Sequence, residues 1–379
     1  MRILIAPDSF KGSLSAKEFC DITQNTIENH WPKDEVFTLP LADGGEGTVD
    51  SLVEGTDGKL ITLEVTGPVG QPVRAQYGIL FDETVAVIEM ASASGLPLVP
   101  PSKRNPMHTT TYGTGELIAD AINKGCRQII IGIGGSATND AGIGMMQALG
   151  FQCLDADNNE VPFGGEGLLK LTSIIPPTTI DFNAIDIQVA YDVNNPLYGE
   201  NGAAHIYAGQ KGADEDMITR LDRGLIAFAT VVSHSLKVDV SSLVGGGAAG
   251  GLGAGLSAAL GAKLHPGFEI IRRLVGLDTV LENDIDLVIT GEGQMNHQSL
   301  KGKLPVELAK LAQSKGIPTI AFVGSRDISQ DDLKDTGLMG VYTIVNGPMT
   351  LEDAMANSKD LLEEAVVHTL SLIHGMEPS

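Results

Sequence analysis

Between residues 128 and 150 the chain reads QIIIGIGGSATNDAGIGMMQALG. Ser136, Thr138, Asn139 and Asp140 follow directly on Gly134 and Gly135, where missing side chains leave backbone N–H groups open to a ligand. Hydroxyls, N–H donors and a carboxylate in one turn suit a nucleotide phosphate and its metal ion. The same residues would also serve a tight turn with a polar helix start, and Asp140 beside a helix N-terminus is stabilising with no ligand at all. Phosphoryl transfer asks for more: positive charge on the phosphates, a carboxylate for Mg²⁺, and a carboxylate near the attacking hydroxyl. Lys11, Lys211 and Lys303 offer the charge. Asp43, Asp140, Asp192 and Glu292 stand at strand exits as metal ligand or base, each with a cap or turn role as the competing reading. His108, His205, His265 and His297 show no HxxxH or HExxH spacing and read as ordinary polar residues.

Other chemistry fits part of this pattern. Residues 132–137 match G-x-G-x-x-A after a strand, with Asp155 and Asp157 further on, so an NAD-linked oxidoreductase is the rival class. Against it, Asn139 and Asp140 occupy the helix start, and Asp140 would repel a pyrophosphate unless a cation intervened. A nucleotide sensor without turnover is a third class. The run GGGAAGGLGAG at 245–255 lacks the Lys-Ser/Thr ending of a P-loop, and the small residues continuing through 260 point to close helix packing.

The hydrophobic period predicts the elements that hold these residues. A strand over 3–6 ends at Pro7, a loop follows over 8–12, and Ser15 with Glu18 makes a capping box before a helix marked by Phe19, Ile22 and Ile27. A strand over 36–41 runs into ADGGEGT and then a helix carrying Val49, Leu52 and Val53. Residues 60–65, 73–80 and 85–90, split by turn signals, read as an antiparallel meander. A proline-bearing loop spans 96–106, a helix 114–124, a strand 186–191 and a helix 214–235. Strands over 285–290, 319–323 and 341–345 exit to GEGQ, GSRD and NGP, and Thr350 with Asp353 opens one long final helix. The two chain ends thus predict an α/β fold: a doubly wound parallel sheet from 1–60 plus 284–379, with a large mixed α/β domain, 61–283, inserted into it. Ligands of such sheets lie beyond the carboxyl ends of the strands, so the loops at 8–12, 43–48, 291–294 and 324–327 predict an active site facing the inserted domain.

Composition bounds the function class. The chain has 379 residues and a net charge of −23, which argues against nucleic acid and anionic membranes as partners. Three scattered cysteines without metal spacing suit a reduced compartment, and neither a signal peptide nor a membrane span is legible, so the expectation is a cytoplasmic protein. Small-molecule substrates are the expected partners, and a homo-oligomer stays open.

As a set, the motifs resemble the bacterial glycerate kinase family of the class I type. The matching stretches are APDSFKGSLSA (6–16), PLADGGEGT (40–48), IEMASASGL (88–96), TTTYGTGELI (109–118), GIGGSATNDAG (132–142), DVNNPLYGENGAA (192–204), QKGA (210–213), GAAGGLGAG (247–255) and TGEG (290–293). The resemblance implies ATP-dependent phosphorylation of D-glycerate, with the 2-position favoured, a Mg²⁺ requirement, and a flavodoxin-like domain carrying a large insertion. On that basis Gly134, Gly135, Ser136, Thr138, Asn139 and Lys211 would hold ATP, and Asp140 and Asp192 its metal. Lys11 and the loop from Asp43 would receive glycerate, Asp192 or Asp43 would act as base, and the site would lie in the cleft between the domains. The chain departs from the family after TGEG, where Gln294 and Asn296 replace an Arg and an Asp, and at Ala208-Gly209, which replaces Gly-Pro.

Overall fold

A computed structural model describes residues 1–42, 47–56, 58–81, 83–329 and 331–375. Ile3, Leu4 and Ile5 are wholly buried on the first strand, β1 (Arg2–Ile5), which pairs in parallel with β2 (Glu35–Thr38). The helix Ala16–His30 joins them. Its capping box is formed as the sequence predicts, Ser15 Oγ accepting from Glu18 N while Glu18 accepts from Ser15 N.

The chain divides into two compact units, Met1–Asp43 with Ile271–Ser379, and Gly44–Ile270. The helix Thr48–Gly55, expected beside the first sheet, packs in the second unit instead. A Cβ on Gly78 would lie 2.6 Å from Val53, so that glycine lets the helix lie close on its strand.

In the second unit the predicted meander is present: β3 (Lys59–Thr66), β4 (Pro72–Leu80) and β5 (Val85–Glu89) pair antiparallel. Pairing then turns parallel through β6 (Gln128–Gly132), while β7 (Gln152–Leu154) and β8 (Ser173–Ile175) form a separate antiparallel pair. The strands β9 (Asp186–Tyr191) and β10 (Lys263–Pro266) complete the sheet, whose order is β10-β9-β6-β5-β4-β3. Ile129, Ile130 and Ile131 are at most 1 % exposed, which requires both faces of β6 to be covered.

The chain returns to the first unit as β11 (Leu287–Asn296), β12 (Thr319–Asp327) and β13 (Leu338–Thr343). Their sheet is wholly parallel in the order β13-β12-β11-β1-β2. Counted along this unit alone, that is the flavodoxin-like order 2-1-3-4-5, with its switch point between β1 and β11. The stretches GEGQ and GSRD are not loops: they continue β11 and β12, and stay paired as far as Asn296 with Asp327. Gly291 and Gly324 serve close strand approach, because a Cβ on them would lie 2.5 Å from the Phe322 and Gly293 carbonyl oxygens. The single final helix is two, Leu351–Ala356 and Ser358–Gly375, broken where the Asn357 side chain donates to the Asp353 carbonyl. Among the described residues no helix is long and apolar enough to cross a membrane.

Candidate active site

The central strand β6 runs between Glu89 of β5 and Ala190 of β9, and its chain leaves the sheet at Gly132. The turn that follows is held from outside. Leu96 N donates to Gly135 O and Ala137 N to Ser94 O, each at 2.9 Å, and Thr109 Oγ1 donates to Ala137 O at 2.8 Å. Gly135 has a φ of +72°, which favours glycine, and no atom lies within 4 Å of the place a Gly134 Cβ would take. The turn is therefore rigid and open on one side.

Lys211 lies beneath it. Its ammonium donates to Ser136 Oγ at 2.8 Å and to Thr138 O at 2.6 Å, and the residue is 2 % exposed. Burial pulls its pKa down to about 7, against the opposing charge of Asp140. Thr138 Oγ1 and both side-chain ends of Asn139 are buried without a partner among the described residues. Buried polar atoms in that condition are what an incoming polar ligand satisfies.

Asp140 is wholly buried. One oxygen accepts from Thr111 N and Thr111 Oγ1, each at 2.9 Å, and the other from Gly142 N at 3.1 Å, with Gly144 N a further donor. Burial raises its pKa even so. It braces the turn: Thr111 Oγ1 in turn accepts from Met145 N in the helix Ile143–Ala148. That helix begins after Gly142, so Asp140 precedes its cap. The glycine run at 245–255 packs on the same turn, as a Cβ on Gly250 would lie 2.1 Å from Thr138 O and one on Gly255 2.1 Å from Ala141 O. Asp192 follows β9 immediately, on the sheet edge where the turn leaves β6, and is exposed.

In the other unit the loop that carries Lys11 runs beside the part of β11 that carries Glu292, at the switch point. Asp8 N donates to Gly291 O at 2.9 Å, and a Cβ on Gly293 would lie 3.3 Å from Phe10 Cα and 3.5 Å from Lys11 N. Lys11 is exposed and Glu292 is buried on β11. Gln294 is exposed on the same strand, and Lys303 stands at the N-cap position of the helix Leu304–Ser314 without a side-chain cap bond. Asp43 lies outside the described residues.

A sequence profile of the glycerate kinase family matches residues 3–374. The chain belongs to that family. It is 45 % identical over 364 residues to a glycerate kinase of Bacillus subtilis (strain 168), covering 96 % of this chain and 95 % of that one. To a glycerate 2-kinase of Escherichia coli (strain K12) it is 44 % identical over 367 residues, covering 95 % and 94 %. A crystal structure of a Salmonella typhimurium LT2 protein assigned as glycerate kinase 2 superposes with a TM-score of 0.91 at 45 % identity, over 99 % and 98 % of the two chains.

For this member of the glycerate kinase family the dinucleotide reading has no structural counterpart. The acids at 155 and 157 follow β7, which pairs antiparallel with β8 rather than parallel with β6, and Asp155 accepts from Asp157 N and Asn159 N in a local turn. Two residues were missed as site partners. Thr111 braces Asp140, and Glu89 accepts from Val49 N at 2.9 Å, with Gly47 N and Thr48 N as further donors, so it caps the helix Thr48–Gly55. Burial raises the Glu89 pKa. The motifs TTTYGTGELI and IEMASASGL carried them, without showing which side chain mattered.

Proposed function

We infer that the chain is a kinase that phosphorylates glycerate with ATP, and that the 2-hydroxyl accepts the phosphoryl group. Whole-chain membership of the glycerate kinase family and the names of its relatives support the activity, and the glycerate 2-kinase relative supports the position. The observation that carries it is the turn after β6: a buried ammonium beneath an open glycine turn with unpartnered Thr138 and Asn139 side chains.

That turn fits a nucleotide phosphate, since Gly134 leaves room for it and Lys211 offers the charge. Among the described residues no group of three or more His, Cys, Asp or Glu stands together as a ready cation site. This suits Mg²⁺, which is usually held by one or two carboxylates, waters and the substrate's own phosphates. Mg²⁺ would supply neutralisation of charge on the phosphate oxygens. Asp192 is the carboxylate we assign to it, while Asp140, saturated by its donors, keeps the turn in shape. Lys11 binds the glycerate carboxylate, and Asp192 or Asp43 takes the proton of the attacking hydroxyl.

The test is ADP release from purified protein with MgATP and D-glycerate, with phosphorus NMR of the product. A 2-phosphate product is expected. No ADP, together with a thermal shift on adding NAD instead of ATP, would overturn the activity.

A further inference from the structure

Acidic side chains outnumber basic ones 48 to 25. Among the described residues neither Lys103 nor Arg104 makes an ion pair. They line a pocket of about 570 Å³ with Val69, Gln71, Ser102 and Asn105, and no carboxylate lines it. Such a wall is almost all donors: an ammonium, a guanidinium, a hydroxyl and two amides. It selects for anionic oxygens.

The wall is also preformed. Pro101–Lys103 is a short 3-10 turn, Lys103 N donates to Pro100 O, and Asn105 O accepts from His108 N and Thr109 N. The same loop begins at the phosphate turn, where Leu96 N donates to Gly135 O. It returns to it as well, since a Cβ on Gly212 would lie 2.3 Å from Arg104 O, and Gly212 adjoins the Lys211 that supports Ser136 and Thr138. The loop that lines the pocket is therefore tied to the turn at Leu96 and to the Lys211 region at Arg104, and the pocket has more volume than a three-carbon acid fills.

We propose that this pocket holds part of the nucleotide's polyphosphate, Arg104 and Lys103 neutralising oxygens beyond those at the turn. The proposal rests on the reading that the turn after β6 binds nucleotide. It is tested with the double variant Lys103→Ala/Arg104→Ala, using calorimetric binding of inorganic tripolyphosphate with MgCl₂ beside steady-state kinetics. We expect tripolyphosphate affinity to fall and KM for ATP to rise, each about tenfold, the loss of one or two charge-assisted contacts, while KM for glycerate stays within about twofold. Arg104→Lys should recover part of the tripolyphosphate binding. Unchanged tripolyphosphate affinity overturns the proposal, as does a rise confined to KM for glycerate, which would give the pocket to the substrate carboxylate. The underlying reading fails separately: Thr138→Val with parental KM for ATP would remove nucleotide from the turn while leaving the tripolyphosphate result to be read by itself.

Discussion

Lys211 Nζ lies 2.6 Å from the main-chain oxygen of Thr138, and its other acceptor is the neutral hydroxyl of Ser136. A buried ammonium held by neutral oxygens, with Asp140 acting on it only through space, is ready for an anion that the turn above could receive. Without that anion, the site carries a standing destabilisation.

That destabilisation depends on pH with a definite sign. Burial lowers the folded-state pKa from 10.5 to about 7. Below pH 7 the lysine is charged in folded and unfolded chains alike, and the cost of burying the charge is fully present. Between 7 and 10.5 the unfolded chain holds a proton the folded one has released, so folded stability rises with pH across that window. Lys211→Met has no such dependence. The melting temperature of the variant minus that of the parent, without nucleotide, should be highest near pH 6 and decline toward pH 9. Differential scanning fluorimetry at several pH values measures it; a difference flat in pH would show that Lys211 does not titrate there.

Gly250 touches the same oxygen from the other side. Its φ is +68°, and a Cβ would lie 2.1 Å from Thr138 O and 2.6 Å from Asn139 Cα, both backbone atoms that cannot yield as a side-chain tip would. Gly250→Ala should therefore destabilise by about 2–4 kcal/mol and raise KM for ATP, because the turn must move. Gly261→Ala is the control. That glycine has a φ of +65° but nothing within 4 Å, so only the left-handed strain of about 1 kcal/mol applies. Urea unfolding of the two variants compares them, and equal losses would mean that the contact with Thr138 adds nothing.

How far the sequence reaches can be judged from such positions. Ile129, Ile130 and Ile131 announced a strand covered on both faces, because only β-branched residues without polar alternation do so. The Ser15–Glu18 box was equally local. Asp140 was different. Its type and place fit a cap or a metal ligand, and what decides its surroundings is Thr111, 29 positions earlier in the chain. Nothing in local spacing reports a partner that the fold delivers. The glycines at 291 and 324 misled for a related reason: a missing side chain signals closeness, and a turn or a neighbouring strand supplies closeness equally well. Where the helix Thr48–Gly55 packs was likewise set by Gly78 of another element.

Lys11 gives a test of the other unit. It follows the strand β1 at the switch point of the five-stranded sheet, its amide beside Gly293 and its neighbour Asp8 bonded to Gly291 O. Open parallel sheets bind ligands there, and a three-carbon acid offers one fixed charge for a cation to hold. If Lys11 holds that carboxylate, Lys11→Ala should lower kcat/KM for glycerate about a hundredfold, the effect of a charge-assisted contact that also orients the acceptor hydroxyl. KM for ATP and the binding of tripolyphosphate should stay close to parental values, because the nucleotide's partners would be the turn after β6 and the pocket of Lys103 and Arg104, neither of which includes Lys11. Lys11→Arg should recover part of the loss, since charge is kept while reach and shape change. Steady-state kinetics with each substrate varied separates these outcomes. Parental kcat/KM in the alanine variant would remove Lys11 from the substrate, and an equal loss for both substrates would mark it as part of the sheet edge rather than a ligand for glycerate.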